Sequence, residues 1–270
     1  YAPQEAYMSM SKRHSIKIFF TLMLALGISL SMSACSSSFS KAKLKELYAH
    51  PDEFKGKTIK ELTMQIVAVD KVHGEIHLQG YEDFAKHEHP TVVVVSDNKV
   101  KYEDGEYIKV KGKVLGKAQV VDEESTEMTA VKLEAKKIQK IKSTDAIPAE
   151  ETLDIGYDVK VKGVSATVQK VDLTSDETRV YIKVKNGTKK NIEIYPDQSI
   201  LSQDGNDYES DLENYLYDDV HMQKNIKAGS SISGVIIFKR IDSNLPFTFT
   251  LEGADNEGNE IELPFSFEMK

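Results

Sequence analysis

From Thr58 onward the chain is a succession of short runs in which apolar and polar side chains alternate, separated by Gly, Asn and Asp turns. That period-two pattern commits most of it to β-sheet. Thr58–Val72 alternates loosely through Ile59, Leu62, Met64, Ile66, Val67 and Val69, and Glu75–Gly80 pairs Ile76 with Leu78. Thr91–Ser96 contains the continuous run Val92–Val95, the reading of a strand buried on both faces. Glu106–Val114 and Thr129–Ile141 complete a first group of five. Helical spacing appears in Lys41–His50, where Leu44, Leu47 and Tyr48 fall on one side before Pro51 stops the run. Five strands with a long first one fit a small, partly open barrel.

The polar, proline-containing stretch Thr144–Thr152 marks a boundary, after which strands return at Tyr157–Leu173, Thr178–Asn186, Asn191–Leu201, Ser231–Ile241, Phe247–Glu252 and Glu260–Phe267. Many short strands with Gly/Asn/Asp turns indicate an antiparallel sandwich. Between them, Tyr208–Gln223 is acidic and carries several tyrosines, and it reads as a loop or one helical turn. The expected fold class is therefore all-β: a barrel over 41–142, a linker over 143–152 and a sandwich over 153–270.

Composition narrows the function classes. A chain of 270 residues with 40% hydrophobic and 29% charged residues is neither collagen-like nor wholly disordered. Lys+Arg 35 against Asp+Glu 43 leaves a net charge of −8, which argues against general affinity for nucleic acid or anionic lipid. A single cysteine excludes an internal disulfide.

That cysteine sits at a meaningful place. Lys12, Arg13, His14 and Lys17 precede the apolar run Ile18–Leu30, with Tyr1–Tyr7 upstream of a start at Met8 or Met10. A basic cluster, a short apolar run and then small residues is the layout of a secretory signal peptide, here 1–34. The run is shorter than the roughly 20 residues a permanent membrane span needs. Met32-Ser33-Ala34-Cys35 resembles a bacterial lipobox, with Met32 where that pattern usually has Leu. The resemblance implies a diacylglyceryl thioether on Cys35 and cleavage ahead of it, anchoring the protein at the extracytoplasmic face of the cell membrane. The other reading is an ordinary secretory signal with a coincidental free Cys35. Cleavage leaves 32 basic and 42 acidic residues, a formal charge of −10, so the lipid rather than charge must hold the protein at an anionic surface. Residues 35–40, mostly serine, form the tether.

Tyr48-Ala49-His50-Pro51-Asp52-Glu53-Phe54-Lys55-Gly56-Lys57-Thr58-Ile59 and Asp104-Gly105-Glu106-Tyr107-Ile108-Lys109-Val110-Lys111-Gly112-Lys113-Val114 resemble the OB-fold domains of bacterial lipoproteins, which are similar to the tRNA-anticodon-binding OB fold. The likeness implies the fold and not RNA binding. Thr178-Arg179-Val180-Tyr181-Ile182-Lys183-Val184-Lys185-Asn186, Ile194-Tyr195-Pro196, Gln203-Asp204-Gly205-Asn206-Asp207-Tyr208, Ile226-Lys227-Ala228-Gly229 and Gly234-Val235-Ile236-Ile237-Phe238 resemble, in that order, the immunoglobulin-like domain of secreted bacterial lipoproteins, a family of unknown function. That family implies no catalytic residue.

Candidate sites are few. His87 and His89 are two apart, which in an extended chain places them on one face at roughly 7 Å, so the pair can share a metal if Glu88 or His77 supplies a third ligand. Asp204-Gly205-Asn206-Asp207 has oxygen donors at alternate positions but reads as a hairpin turn rather than a calcium loop. Tyr208, Tyr215 and Tyr217, among Asp211, Glu213, Asp218 and Asp219, form either a partner-recognition edge or a cover for the sandwich's open end. Lys109, Lys111 and Lys113 alternate along one strand, with Lys99 and Lys101 nearby. Acids crowd the aromatics Tyr81, Phe84, Tyr102 and Tyr107, so these lysines read as edge protection rather than a strand-binding face. No nucleophile elbow or phosphate loop is present, and no cofactor is implied. The expectation is a non-enzymatic, membrane-anchored binding or adaptor module for an envelope protein or surface polymer, without nucleic acid. The alternative is a metal-binding lipoprotein using His87 and His89.

Overall fold

In the computed structural model, which describes residues 39–96, 100–121, 126–211 and 214–268, the alternating runs build one barrel and two further sheets. The expected signal peptide, Cys35, Ser36–Ser38 of the tether, Lys99 and Glu213 lie outside the described residues. Helix α1 (Lys41–Ala49) starts at Ser40, whose side chain accepts from the Lys43 amide, and ends as Pro51 opens a 3-10 turn over Pro51–Phe54. The strands β1 (Thr58–Val72), β2 (Glu75–Asp83), β3 (Glu88–Val95), β4 (Tyr107–Val121) and β5 (Glu127–Ile141) close in the order β1-β2-β3-β5-β4. This is an OB-like barrel. Every pairing is antiparallel except β3 with β5, which run parallel from Thr91↔Val131 to Val94↔Glu134.

Closure depends on β1 serving two neighbours. Its first half pairs with β4 and its second with β2, with Gln65 facing both Tyr107 and Tyr81. Where the strands cross, Gly80 lies so close to β1 that a Cβ there would stand 1.9 Å from the Gln65 carbonyl oxygen and 2.7 Å from Met64 Cε. Leu62, Met64, Ile66, Leu78, Val93, Ile108 and Leu133 fill the interior, and α1 covers it with Leu47, which is fully buried. Because the barrel closes, β4 has a partner on each side. Edge protection therefore does not account for Lys109, Lys111 and Lys113; Lys109 pairs with Glu61 at 3.4 Å.

After a short α2 (Ser143–Ala146), the region expected as a linker already enters β6 (Glu151–Val161) at Glu151. The run expected as one strand, Tyr157–Leu173, is a hairpin instead. It turns at Lys162-Gly163, both at positive φ, into β7 (Val164–Leu173). Then follow β8 (Glu177–Asn186), β9 (Ile192–Gln203), β10 (Asn206–Glu209), β11 (Asn225–Ile226), β12 (Ser231–Lys239), β13 (Phe247–Asp255) and β14 (Glu260–Phe267). One sheet has the order β12-β8-β7-β6, the other β10-β9-β13-β14 with β11 beside β9. The inward residues of both sheets, among them Val180, Ile182 and Phe238 from the first and Ile194, Phe249 and Leu251 from the second, share one buried cluster. Asp204-Gly205 adopts positive φ between β9 and β10, the hairpin turn that its residue types favour.

Gly80→Ala forces the β1–β2 crossing apart. The expected cost is about 1–3 kcal/mol, read as a lower denaturant midpoint with the same slope; an unchanged midpoint would contradict so close a crossing.

Candidate functional site

Two breaks in regular pairing create a groove on the barrel. The register of β1 against β2 shifts between Ile66 and Ala68, and the bulged residue Val67 turns outward, 42% exposed. On β4 the register shifts again between Val114 and Gly116, where Gly116 takes φ +113° and a Cβ would meet the Asp52 carboxylate at 2.6 Å. Beyond that point the β4–β5 hairpin carries Val120, Val121 and Met128. These side chains, with Val67, Ala68, Gly80, Tyr81, His87, Pro90 and Thr91, line a cavity of about 370 Å³. Its walls are mainly apolar, and Val121 is 54% exposed. Of the four barrel aromatics considered as stacking platforms, Tyr81 alone lines this groove. Phe84 and the buried Tyr107 pack edge to face at 5.0 Å, and Tyr102 lies beside Lys140.

The two candidate metal ligands have different neighbours. His87 and His89 have φ of +52° and +61°, so the backbone is not extended between them and the common face assumed from their spacing does not form. His87 stacks on Tyr81 with centroids 5.1 Å apart, and its Nε2 lies 3.2 Å from the Tyr215 hydroxyl. His89 stacks on Tyr48 at 4.3 Å and its Nδ1 is 2.8 Å from Glu82 Oε2. Among the described residues no group of three His, Cys, Asp or Glu side chains is placed to hold a metal ion.

The Tyr215–His87 contact belongs to a longer seam. A 3-10 turn over Tyr215–Tyr217 lies against the outer face of β8 and β12, where Leu216, Tyr217, Val235 and Ile237 form a third buried cluster joined by Phe84, Ile147, Tyr181 and Val220. Tyr107 of the barrel donates its hydroxyl to the Leu216 carbonyl at 3.0 Å, and the Ser143 amide donates to Asp219 Oδ2 at 3.1 Å. Tyr217 is fully buried and donates to Glu177, which also accepts from Asn214 Nδ2 at 2.8 Å. Tyr208 is half-buried against the two-sheet core, so of the three candidate partner tyrosines only Tyr215, 48% exposed, meets solvent broadly.

Charge is buried here as well. Arg179 is fully buried; its Nη1 donates to the Ile147 carbonyl at 2.8 Å and its guanidinium lies 4.9 Å from the Tyr217 ring centre. Burial, then the hydrogen bond to Glu177, pushes the Tyr217 hydroxyl above its usual range, and burial followed by the Asp219 charge does the same for Tyr107. Both remain protonated donors. Tyr181 is pushed up to about 12 by burial and by Asp172. Burial alone would raise Asp172, but hydrogen bonds from Lys170, Thr152 and Tyr181 outweigh it and hold the carboxyl below its usual value.

Neither groove nor seam was visible in the sequence. Adjacent Ile66 and Val67, and Gly116 inside an alternating run, were the available signs of bulges. Nothing in the sequence connects His87 with a tyrosine 128 positions away.

No protein-family model matches the chain, and no curated protein matches it. Among solved structures, a functionally unknown protein from Listeria monocytogenes EGD-e aligns at 11% identity and a TM-score of 0.38, covering 48% of this chain and 94% of that one. A putative lipoprotein, ycdA, from Bacillus subtilis aligns at 15% identity and 0.32, covering 42% of this chain and 39% of that one. A conserved hypothetical protein from Bacillus anthracis aligns at 15% identity and 0.29, covering 43% and 98%. At these TM-scores none of the three bears on the function of this chain.

Asp172→Asn removes a carboxylate that is held ionised in the folded state. A depressed folded pKa stabilises above the unfolded value of about 3.9 and ceases to do so as pH falls through the folded value. The variant is expected to lose about 1–3 kcal/mol at neutral pH, with the deficit shrinking as the pH is taken below about 4. A deficit independent of pH would refute the ionised pairing.

Proposed function

We propose that this protein is a lipid-anchored, extracytoplasmic binding or adaptor module without catalytic activity, acting on an envelope protein or surface polymer. In this reading Cys35 carries the diacylglyceryl anchor, and the two sheets that share one core form an immunoglobulin-like sandwich. The observation that carries the binding role is the groove beside Val67, Tyr81, Val121 and Met128, apolar and open to solvent. Such a site takes an extended chain by burying its apolar groups. The 208–223 segment, considered from sequence as the recognition edge, is largely committed to the seam and is the weaker place for a partner.

A photo-reactive side chain at Val121 in intact cells is expected to capture a reproducible protein or polymer, whereas the same group at Lys185 captures none. Val67→Asp with Met128→Asp is expected to abolish capture while circular dichroism and the thermal midpoint stay near wild type. Equal capture from both positions, or survival of the adduct in the double variant, would sink the groove as the binding surface.

A further inference from the structure

The chain is acidic as a whole, with a net charge of −8, yet its bases are unevenly placed. Over 41–60 there are six lysines and three acids. Lys41, Lys43 and Lys45 are exposed on α1, Lys55 and Lys57 are exposed just past the 3-10 turn, and Lys60 is half-exposed. Of the three acids, Asp52 is already engaged: its carboxylate accepts from the Lys117 amide at 3.1 Å and lies 3.7 Å from Lys117 Nζ. Glu46 and Glu53 remain as the exposed opposing charges.

This basic end lies where the chain leads back toward Cys35. Phe39 packs on Phe54 with ring centroids 5.8 Å apart, and Lys57 Nζ sits 4.3 Å from the same Phe54 ring centre. Four residues of sequence run from Cys35 to Phe39, and four residues of fully extended chain span at most about 14 Å. A surface holding the acyl chains of Cys35 is therefore at most one to two Debye lengths from Phe39 at physiological salt, and a tether short of full extension brings the lysines within the range where their charge is felt. The rest of the molecule, carrying the excess of acids, is repelled by an anionic surface and turns the basic end toward it.

We infer that the α1 end of the barrel is a membrane-contact surface, in which Lys41, Lys43, Lys45, Lys55 and Lys57 meet the phosphates of anionic phospholipid and set the orientation of the anchored protein. The inference rests on the reading of Cys35 as the lipidated residue. It deepens that reading by assigning a face and a lipid chemistry: the acyl chains retain the protein, and the lysines orient it.

The test uses the full chain purified from its membrane and reconstituted in vesicles of phosphatidylcholine, with and without about a third phosphatidylglycerol. Lysine acylation is read site by site by mass spectrometry, and the mass of the Cys35 peptide is read in the same digest. With phosphatidylglycerol, labelling of the five lysines is expected to fall by about fivefold, and 1 M salt is expected to restore it; Lys185 and Lys189 are expected to stay unchanged. Lys41→Glu/Lys43→Glu/Lys45→Glu is expected to abolish the salt-sensitive protection at Lys55 and Lys57 while the protein stays on the vesicles. A Cys35 peptide without acyl mass overturns the anchor reading, and this inference with it. An acylated, vesicle-bound protein whose five lysines label equally on both vesicles overturns the orienting surface alone. Protection by a soluble glycerol-phosphate polymer but not by the vesicles overturns the lipid assignment in favour of a wall polymer.

Discussion

The buried contact that Leu216 and Tyr217 make with the outer face of β8 and β12 is the constraint on which the described structure turns. A sheet face carrying Val235, Ile237, Tyr181 and the buried Arg179 would be costly to leave in water. The 3-10 turn over Tyr215–Tyr217 covers it from above, and Phe84 and Tyr107 of the barrel close the same cluster from the side. The polar groups that come with this burial are largely satisfied internally. Tyr217 donates to Glu177, Tyr107 donates to a main-chain carbonyl, and Asp219 accepts from the Ser143 amide. Arg179 Nε and Nη2 lack a hydrogen-bond partner among the described residues, and the adjacent Tyr217 ring is the favourable neighbour of that cation.

The seam also has a consequence for the groove. His87 belongs to both: its ring stacks on Tyr81 within the groove wall, while its Nε2 meets the Tyr215 hydroxyl from the other side. The wall of the proposed binding surface is thus braced by a residue of the 3-10 turn over Tyr215–Tyr217. Tyr48 on α1 bonds Thr91, which also lines the groove, at 2.7 Å and stacks on His89, so the helix that bears the basic cluster is tied to β3.

Much of the architecture was legible because sheet burial writes itself into sequence with period two. Val92–Val95, continuous rather than alternating, correctly announced a strand buried on both faces, since all four valines are buried. Leu44, Leu47 and Tyr48 announced a short helix, and Leu47 is its buried contact. What was misread were places where alternation survives a change of direction: Tyr157–Leu173 alternates on through a turn, because Lys162 adopts a positive φ that its residue type does not advertise. The lysines of β4 looked like an edge because outward-facing positions are polar in any strand, paired or not.

The sequence by itself determined the all-β class, the barrel's five strands, and the distribution of charge that sets lysines beside the chain's amino-terminal side. Each of these follows from local periodicity or from plain order along the chain. The tertiary structure alone decided that the barrel closes, that His87 and His89 part company, that Tyr217 is core rather than surface, and that a groove opens beside Val67. Those outcomes depend on register shifts and on contacts between residues far apart in sequence, such as Tyr107 with Leu216 and His87 with Tyr215. Local pattern carries no information about which distant segment arrives to bury a given face.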